Sequence, residues 1–318
     1  MEADYLMDPV ALRIPLPFLG WTLEFTWYGI SIVIGVLAAT FYATYEARRR
    51  GQNPEPIWDM FVLVVFVGII GARLWYVITA TLGGNPYYLQ NPIQILNVRA
   101  GGLNIFGALL AGLVTIILFC RAKGLNFWMY LDFVAPGVLL GQGLARWGNY
   151  INQELYGPPT TLPWGIPIDA QHRIPPYDDL TRFPLSTRFH PTFLYETIYN
   201  LLAFGLLMYL LRRLGERWKV GSVFGAYLVL HGIGRFIIEF FRPDQPRIPG
   251  TDFSYSRLLS VLFVIGGVAV LYWRQQRAEP YPAPAVPAEE PLAIAEQEGQ
   301  AASAAPEPPA EGQGEQDG

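Results

Sequence analysis

The chain has 318 residues, of which 52% are hydrophobic, 14% are aromatic and only 15% are charged, and its formal net charge is −4. Soluble proteins usually carry about 25% charged residues, so this composition argues against a cytosolic enzyme. A single cysteine, Cys120, excludes an internal disulfide. With only three histidines beside that thiol, no clustered zinc-type site is visible, and we expect no metal or cofactor.

Seven apolar segments follow one another along the chain, each close to the length of about 20 residues that crosses the hydrocarbon core of a membrane. They cover residues 26–45, 57–80, 101–120, 127–147, 193–211, 221–241 and 258–273. The pattern predicts an all-α membrane protein with seven transmembrane helices. We assign them to one domain, residues 1–274.

Basic residues collect at alternate ends of these segments, close to the helices. They are Arg48, Arg49, Arg50, Arg121, Lys123, Arg212, Arg213, Arg217, Lys219, Arg274 and Arg277. Cytoplasmic loops carry the excess of Lys and Arg in membrane proteins. The pattern therefore predicts that the N-terminus lies outside and the C-terminus lies in the cytoplasm.

The longest connection on the predicted outer face covers about residues 148–192 and is rich in proline and aromatic residues. A connection of this length without helical periodicity is uncommon unless it is functional or disordered. Its aromatic side chains, among them Trp164 and Phe189, argue against disorder. We predict a structured outer loop and expect any chemistry on this face.

The final segment, residues 275–318, has nine acidic residues and one arginine, and it is rich in alanine and proline. Such a composition cannot bury enough apolar surface to offset the entropy that ordering would lose. The sequence predicts a disordered, acidic cytoplasmic tail.

Polar and glycine residues interrupt the early spans at two places. Arg73 is deep enough in the second span to need a partner, which a purely structural contact would supply. Gly101 and Gly102 open the third span and let the backbone approach another helix or a ligand, helix packing being the commoner use of such pairs.

The densest polar series lies at the outer end of the fourth span and contains Arg146, Asn149, Asn152 and Glu154. An arginine offers a planar fork of donors that matches phosphate oxygens. The two amides can hold a glycerol hydroxyl or a phosphate, and Glu154 can orient Arg146. The alternative is a polar helix end with a snorkelling arginine.

Two further groups of ionisable residues occur in the later spans. One helix face carries His231, Arg235 and Glu239. A structural ion pair within the helix explains the arginine and the glutamate, but it does not explain the histidine. His190 and Glu196 flank the start of the fifth span, where an ordinary helix start with an acidic first turn also explains them.

Together these segments resemble the prolipoprotein diacylglyceryl transferase family. Residues 146–157, RWGNYINQELYG, closely resemble the family signature R-x-G-N-[FY]-x-N-x-E-x-x-G. Further segments match in the same order, namely residues 27–29, 71–73, 101–102, 190–196 and 235–244. The resemblance covers about residues 20–273 and leaves out the acidic tail.

The resemblance implies the activity. Such transferases move the sn-1,2-diacylglyceryl group of phosphatidylglycerol onto the thiol of the lipobox cysteine of a preprolipoprotein. A thioether forms and glycerol 1-phosphate departs, in the first step of bacterial lipoprotein maturation. The implied location is the bacterial cytoplasmic (inner) membrane, with the site open to the outer leaflet. The implied partners are phosphatidylglycerol and preprolipoproteins.

Roles for single residues come from the same resemblance. Arg146 and Arg235 match the family's essential arginines, which can hold a phosphate and stabilise charge on the departing oxygen. Glu154 matches the signature and is assigned to orienting Arg146. Residues assigned to binding phosphatidylglycerol are Arg146, Tyr28, Gly101, Gly102, Asn149, Asn152, His190 and Glu239.

Two positions depart from the family pattern. Many members carry a histidine, proposed as the base, where this chain has Phe106, and many carry a tyrosine where this chain has His231. Phe106 cannot accept a proton. We therefore hypothesise that the substrate thiol is deprotonated by His231, or by bulk hydroxide with assistance from the arginines.

Other classes of protein fit the sequence less well. A phospholipid transporter or flippase is the main alternative, but it predicts inverted repeats, and seven spans do not halve. An intramembrane protease needs a catalytic dyad or triad, and Asp59, Asp132 and Glu239 form no visible pair. Basic residues follow the inner membrane boundary, so no nucleic-acid partner is predicted.

Overall fold

A computed structural model of the chain describes residues 8–17, 20–98, 101–242, 245–251 and 253–284. Contacts within the chain divide it after Ala283, and the second unit lies outside the described residues apart from Pro284. The predicted disorder of the acidic tail therefore concerns residues that mostly lie outside the described ranges. The predicted boundary at 274/275 falls in the last turn of the final long helix.

Helices dominate the described residues. They are α1 (Trp27–Arg49), α2 (Glu55–Leu82), α3 (Tyr87–Gln90), α4 (Ile105–Ala122), α5 (Phe127–Ala145), α6 (Trp147–Ile151), α7 (Thr192–Leu214), α8 (Ser222–Ile238) and α9 (Tyr255–Arg277). Short 3-10 turns include Pro92–Leu96 and Glu239–Phe241. Two small antiparallel sheets pair β1 (Val10–Leu16) with β2 (Trp21–Thr26), and β3 (Ile166–Pro167) with β4 (Arg188–Phe189).

Five of the long helices are sufficiently long and apolar to cross a membrane, namely α1, α2, α7, α8 with its extension to Phe241, and α9. The protein is thus a helical membrane protein, as the composition predicts. In α4, residues Phe106–Ala122 form a shorter apolar helix. In α5, the apolar pattern is broken by Asp132, Pro136 and Gln142.

Side-chain caps define where four of these helices begin. In each case a side-chain oxygen before the first turn accepts a backbone N–H that the helix itself leaves without a partner. The caps are Thr26 for α1, Asn104 for α4, Asn126 for α5 and Ser254 for α9.

Helix α5 lies at the centre of the bundle and packs against α1, α7 and α8. Its closest approach is to α1, where Gly35 faces Gly141. A Cβ added to Gly35 would lie 2.5 Å from the carbonyl oxygen of Gly141. Small residues allow such close backbone contact between membrane helices. This contact brings the N-terminal end of α1 next to the end of α5.

Buried carboxylates make hydrogen bonds that stabilise the end of the bundle opposite α6. Asp132 of α5 is fully buried and accepts the backbone N–H groups of Gly221 at 2.5 Å and Phe224 at 2.8 Å. It thereby caps the start of α8 from a neighbouring helix. On α1, Glu46 is also fully buried and accepts a hydrogen bond from Arg50 Nε at 2.6 Å.

The segment after α9 returns to this same end of the bundle. The backbone N–H of Tyr281 donates to the carbonyl of Trp218 at 2.9 Å, and the N–H of Val220 donates to the carbonyl of Glu279 at 3.0 Å. The Tyr281 ring is 2% exposed and lies 4.3 Å from the guanidinium of Arg50. Residues 278–283, which we call the C-terminal strap, therefore belong to the folded core.

The connection between α6 and α7 packs around its own small core of Tyr156, Ile168 and Phe189. Arg173 donates to the carbonyls of Ile168 at 2.9 Å and Phe183 at 2.6 Å, and its guanidinium lies over the Phe189 ring. Burial lowers the pKa of Arg173 and raises that of Tyr156. These contacts hold the loop as a compact unit above α6.

Candidate active site

Three helices bring charged side chains together beside α6. Arg146 caps the end of α5, Glu196 lies near the start of α7, and Arg235 lies in the second half of α8. The Glu196 carboxylate pairs with Nε of Arg146 and lies 3.4 Å from Nη1 of Arg235. A third guanidinium, that of Arg242, reaches the same carboxylate at 4.0 Å. We call these four residues the arginine cluster.

The charge balance of this cluster is positive. The Glu196 carboxylate, only 6% exposed, faces three guanidinium groups, and a second carboxylate, that of Glu239, lies 3.9 Å from Arg235. Arg146 is 26% exposed and Arg235 is 24% exposed, so both retain accessible donors. Charged groups inside a membrane protein mark a functional site unless they are mutually neutralised. An excess of accessible guanidinium groups suits an anionic ligand such as a phosphate.

A hydrogen-bonded series continues from Arg146 into α6 and the residues after it. Nη1 of Arg146 donates to Oδ1 of Asn149 at 3.2 Å, and Nδ2 of Asn149 donates to Glu154 at 2.8 Å. Asn152 donates to the same carboxylate oxygen at 3.4 Å. Glu154 therefore reaches Arg146 through Asn149, whereas the sequence suggested direct orientation.

Tyr28 lies beside this series because α1 begins against α6. A Cβ added to Gly148 would lie 2.8 Å from the Tyr28 ring and 2.9 Å from its Cα. Only glycine fits at this contact. The hydrogen bond from the Gly29 N–H to Thr26 fixes the first turn of α1 at the same place.

Two cavities adjoin the arginine cluster. The first is polar, has a volume of about 20 Å³, and is lined by Gln142, Arg146, Glu196, Tyr199, Asn200, His231, Gly234, Arg235 and Ile238. The second is apolar and has a volume of about 320 Å³. It lies between α1, α2, α4 and α5, and its lining includes Ile32, Val36, Met60, Ile116, Gln142 and Ala145. His231 thus shares a cavity with Arg146 and Arg235, and its ring stacks on Tyr227.

Glu239 lies behind Arg235. It accepts a hydrogen bond from the Ser254 hydroxyl at 2.7 Å and lies 3.9 Å from Nη2 of Arg235. The carboxylate is buried and is outside the lining of the polar cavity. In this structure it links Arg235 to the cap of α9.

Gly101 and Gly102 lie against Arg73 of α2. Their carbonyls accept hydrogen bonds from Nη1 of Arg73 at 2.7 and 3.1 Å. Gly102 has a φ of +73°, and a Cβ there would lie 2.7 Å from Nη1. Nε and Nη2 of Arg73 donate to Ile95 and Gln94. The backbone of these glycines therefore binds Arg73, and the glycines do not line the polar cavity.

His190 belongs to a separate network near the outer loop. Its Nδ1 lies 2.9 Å from the Tyr195 hydroxyl, which also accepts a hydrogen bond from Nε1 of Trp164 at 2.9 Å. The imidazole packs on Phe241. Burial lowers the pKa of His190 below its ordinary value. Phe106, which replaces the usual family histidine, is largely exposed in the first turn of α4.

Two residues of the site could not be recognised from the sequence. Glu196 resembles an ordinary acidic residue at a helix start, yet it is the shared partner of three arginines. The signal that would have identified it is that arginines brought together in a membrane domain need acceptors, and an acidic residue at the start of a neighbouring span can supply one. Gln142 lines both cavities and gave no signal, since it lies outside the signature.

Within the described ranges, no three His, Cys, Asp or Glu side chains come together as a metal site would require. Cys120 is buried in the core far along α4 from its N-terminal end. The side chains of this site carry guanidinium, amide, carboxylate and imidazole groups.

Comparisons with known proteins relate the chain to one family. The sequence model of the family described as prolipoprotein diacylglyceryl transferase matches residues 15–273. A phosphatidylglycerol–prolipoprotein diacylglyceryl transferase of Chloroflexus aggregans is 37% identical over 271 residues, which are 83% of this chain and 87% of that protein. Proteins of the same name from Trichormus variabilis and Lactiplantibacillus plantarum are 37% and 35% identical, covering 80% and 85% of this chain and 88% and 90% of their own lengths.

Proposed function

Since this chain belongs to the prolipoprotein diacylglyceryl transferase family, we propose that the arginine cluster is its catalytic centre. The protein is a transferase that moves the diacylglyceryl group from phosphatidylglycerol to prolipoproteins in lipoprotein maturation. The comparisons do not favour a phospholipid transporter. An anionic donor lipid suits the excess of guanidinium groups beside α6.

Phosphatidylglycerol is an anion, and Arg146 and Arg235 bind its phosphate. The observation that carries this assignment is that two accessible guanidinium groups share one buried carboxylate. A phosphate placed between them accepts hydrogen bonds from the N–H donors that remain accessible. The same donors stabilise the negative charge that grows on the phosphate oxygen as it departs. Asn149, Asn152 and Tyr28 bind the glycerol headgroup, and Glu154 holds Asn149 against Arg146.

The acyl chains occupy the apolar cavity. Its lining ends at Ala145, the residue directly before Arg146. A lipid whose phosphate lies at Arg146 would therefore place its chains between α1, α2 and α5. Ligand sites of this kind are predominantly apolar, with few polar groups that fix orientation.

The transfer step is a substitution at carbon. The thiolate of the lipobox cysteine attacks the C3 carbon of the diacylglyceryl group, and a C–S bond forms as the C–O bond breaks. The electron pair leaves with glycerol 1-phosphate, which the arginines hold. The thiol proton goes to His231, which lines the same cavity as both arginines, or to bulk hydroxide. Nearby positive charge favours the thiolate in either case.

Four assignments remain predictions of the family resemblance alone. Gly101, Gly102, His190 and Glu239 each contact protein partners in this structure. We therefore propose that these residues contact the lipid only after phosphatidylglycerol has bound.

The topology we propose has seven spans, α1, α2, α4, α5, α7, α8 and α9. Helices α4 and α5 have 18 and 19 residues, which at 1.5 Å per residue approach the thickness of the hydrocarbon core. The N-terminus lies outside, the tail lies in the cytoplasm, and the site faces the outer leaflet of the bacterial cytoplasmic membrane. The alternating basic residues support this orientation.

The proposal is tested with purified protein, phosphatidylglycerol and a lipobox peptide. We expect thioether product and glycerol phosphate release from the native protein, and no product when the peptide carries serine in place of cysteine. Arg146→Ala should lower transfer by about a thousandfold, because it removes a donor to the departing oxygen. Native rates from Arg146→Ala would contradict the site. Lipid binding without transfer by the native protein would favour a transporter.

The role of His231 is tested in the same assay. We expect His231→Phe to lower the rate by about a hundredfold, the typical contribution of general base catalysis. The loss should shrink as the pH is raised towards the pKa of the peptide thiol. Full turnover by His231→Phe would leave bulk hydroxide as the base.

A further inference from the structure

Gln142 is the side chain that joins the two cavities. It lines the polar cavity together with Arg146 and Arg235, and it lines the apolar cavity together with Val138 and Ala145. It lies four residues before Arg146, the residue that ends α5, so the two side chains lie on one helix face about 6 Å apart along the axis. Any molecule that extends from one cavity into the other passes this residue.

Polar side chains are scarce in the lining of the apolar cavity. Among its lining residues only Thr40 and Gln142 have polar side chains. The hydroxyl of Thr40 donates to the backbone carbonyl of Val36 at 2.9 Å. The amide of Gln142 has the hydroxyl of Tyr227 as its polar neighbour. An amide has two N–H donors and a carbonyl acceptor, so the contact with Tyr227 engages one donor and leaves the second for a ligand.

A diacylglyceryl phospholipid has a fixed order of chemical groups. Its phosphate is followed by three glycerol carbons, then by two ester carbonyls, and then by the acyl chains. The cavities of this protein have the same order, from guanidinium groups through one amide to an apolar lining. The ester carbonyls accept hydrogen bonds but cannot donate them, so an amide N–H is a suitable partner.

We propose that Gln142 is a binding residue that donates a hydrogen bond to an ester carbonyl of the diacylglyceryl group and so selects diester lipids over diether lipids. The inference rests on the proposed function, since it takes the position of the phosphate from the arginine cluster. A diether lipid of the same length follows the same path but offers no carbonyl to the half-buried amide N–H of Gln142. A site built to hydrogen-bond a substrate group discriminates against an analogue that lacks it.

The experiment compares phosphatidylglycerol with its dialkyl ether analogue of matched chain length, both with the lipobox peptide. The quantity measured is the ratio of kcat/KM for the diester lipid to that for the diether lipid. One neutral hydrogen bond corresponds to about a three- to tenfold preference. We expect that preference from the native protein and a ratio near one from Gln142→Leu. Gln142→Met, matched in length to glutamine, should behave like Gln142→Leu and serves if the leucine variant folds poorly.

Two controls separate binding from structure. Thr40→Val changes the other polar residue of the apolar cavity and should keep the native ratio. Tyr227→Phe removes the polar neighbour of Gln142 and should also keep the preference for the diester lipid. A purely structural role of Gln142 would lower both rates together and leave the ratio unchanged.

The outcomes are distinct. An unchanged ratio in Gln142→Leu and Gln142→Met would overturn the inference while leaving the transferase intact. Equal turnover of both lipids by the native protein would do the same. A native protein that transfers from neither lipid would overturn the proposed function, and the inference with it.

Discussion

Arg73 on α2 and Arg146 at the end of α5 are both arginines within the membrane domain, but their surroundings differ. Arg73 makes four hydrogen bonds, all to backbone carbonyls, and is only 4% exposed. Arg146 shares a carboxylate with two other arginines and remains partly exposed. The protein engages four of the five N–H donors of the first guanidinium, and the second keeps accessible donors for a ligand.

The difference shows that an arginine in a span is not by itself evidence of a catalytic site. Carbonyl acceptors stabilise the charge of Arg73 without any counter-ion and hold the chain at Gly101 and Gly102. The shared carboxylate at Glu196 positions Arg146 and Arg235 without neutralising them. A structural arginine and a ligand-binding arginine differ in the groups they contact and in the N–H donors they keep accessible. The residue type alone does not distinguish them.

After the substitutions of Arg146, the largest effect on transfer is expected from Glu196→Gln. This change keeps the shape of the side chain but removes the charge that positions Arg146 and Arg235. Misplacement of catalytic groups by about 1 Å can lower a rate by about a hundredfold, and we expect a loss of that size in transfer assays.

The matched control for Glu196 is Glu46→Gln. Glu46 is also a buried carboxylate paired with arginine, but it lies at the opposite end of the bundle. Its substitution should lower the thermal midpoint and leave transfer by folded protein within about twofold of native. Equal losses of transfer in both variants would show that Glu196 has no special role in transfer compared with Glu46.

A smaller effect, on stability rather than on rate, is expected from Arg73→Lys. A lysine offers a point charge and cannot satisfy four carbonyls arranged around a planar guanidinium. We expect a loss of about 2–3 kcal/mol in the free energy of unfolding, seen as a lower thermal midpoint in detergent. Transfer per folded molecule should fall by less than about threefold. Arg146→Lys should show the reverse, with a small change in midpoint and a large loss of transfer.

The smallest effect concerns pH and the outer loop. Because burial lowers the pKa of His190, the unfolded chain takes up a proton at a higher pH than the folded protein does. The contribution of neutral His190 to the stability of the folded protein is fully present above the ordinary histidine pKa of about 6.5. It is lost as the pH falls through the lower, folded-state pKa. The thermal midpoint of the native protein should decline from pH 7 to pH 5. His190→Asn should flatten that decline, whereas an unchanged slope would place the titration elsewhere.

The helical membrane fold could be predicted because length and hydropathy are local properties of the sequence. The signature from Arg146 to Glu154 was visible because its residues lie close together along the chain. The shared role of Glu196 was not, since its partners lie 50, 39 and 46 positions away and a single acidic residue has many ordinary explanations. Long-range contacts of this kind leave no periodic pattern.

Three other features could not be predicted from the sequence, each for a different physical reason. The partners of Arg73 are backbone carbonyls. Because every residue has a carbonyl, the residue types in the sequence do not indicate which ones bind Arg73. The hairpin of β1 and β2 occupies residues before α1 that carry mixed apolar and charged side chains, and no strand was predicted there. Gln142 was missed because its position between two cavities depends on how α5 packs in the bundle.

The C-terminal strap implies an order in which the protein is completed during synthesis. Chains emerge from the ribosome N-terminus first, so Arg50 and Trp218 are made long before Tyr281, which packs against both. The end of the bundle opposite the arginine cluster can close only when translation has passed residue 283. A chain that stops directly after α9 would possess every helix and still lack this closure. Affinity tags are therefore best attached beyond the strap.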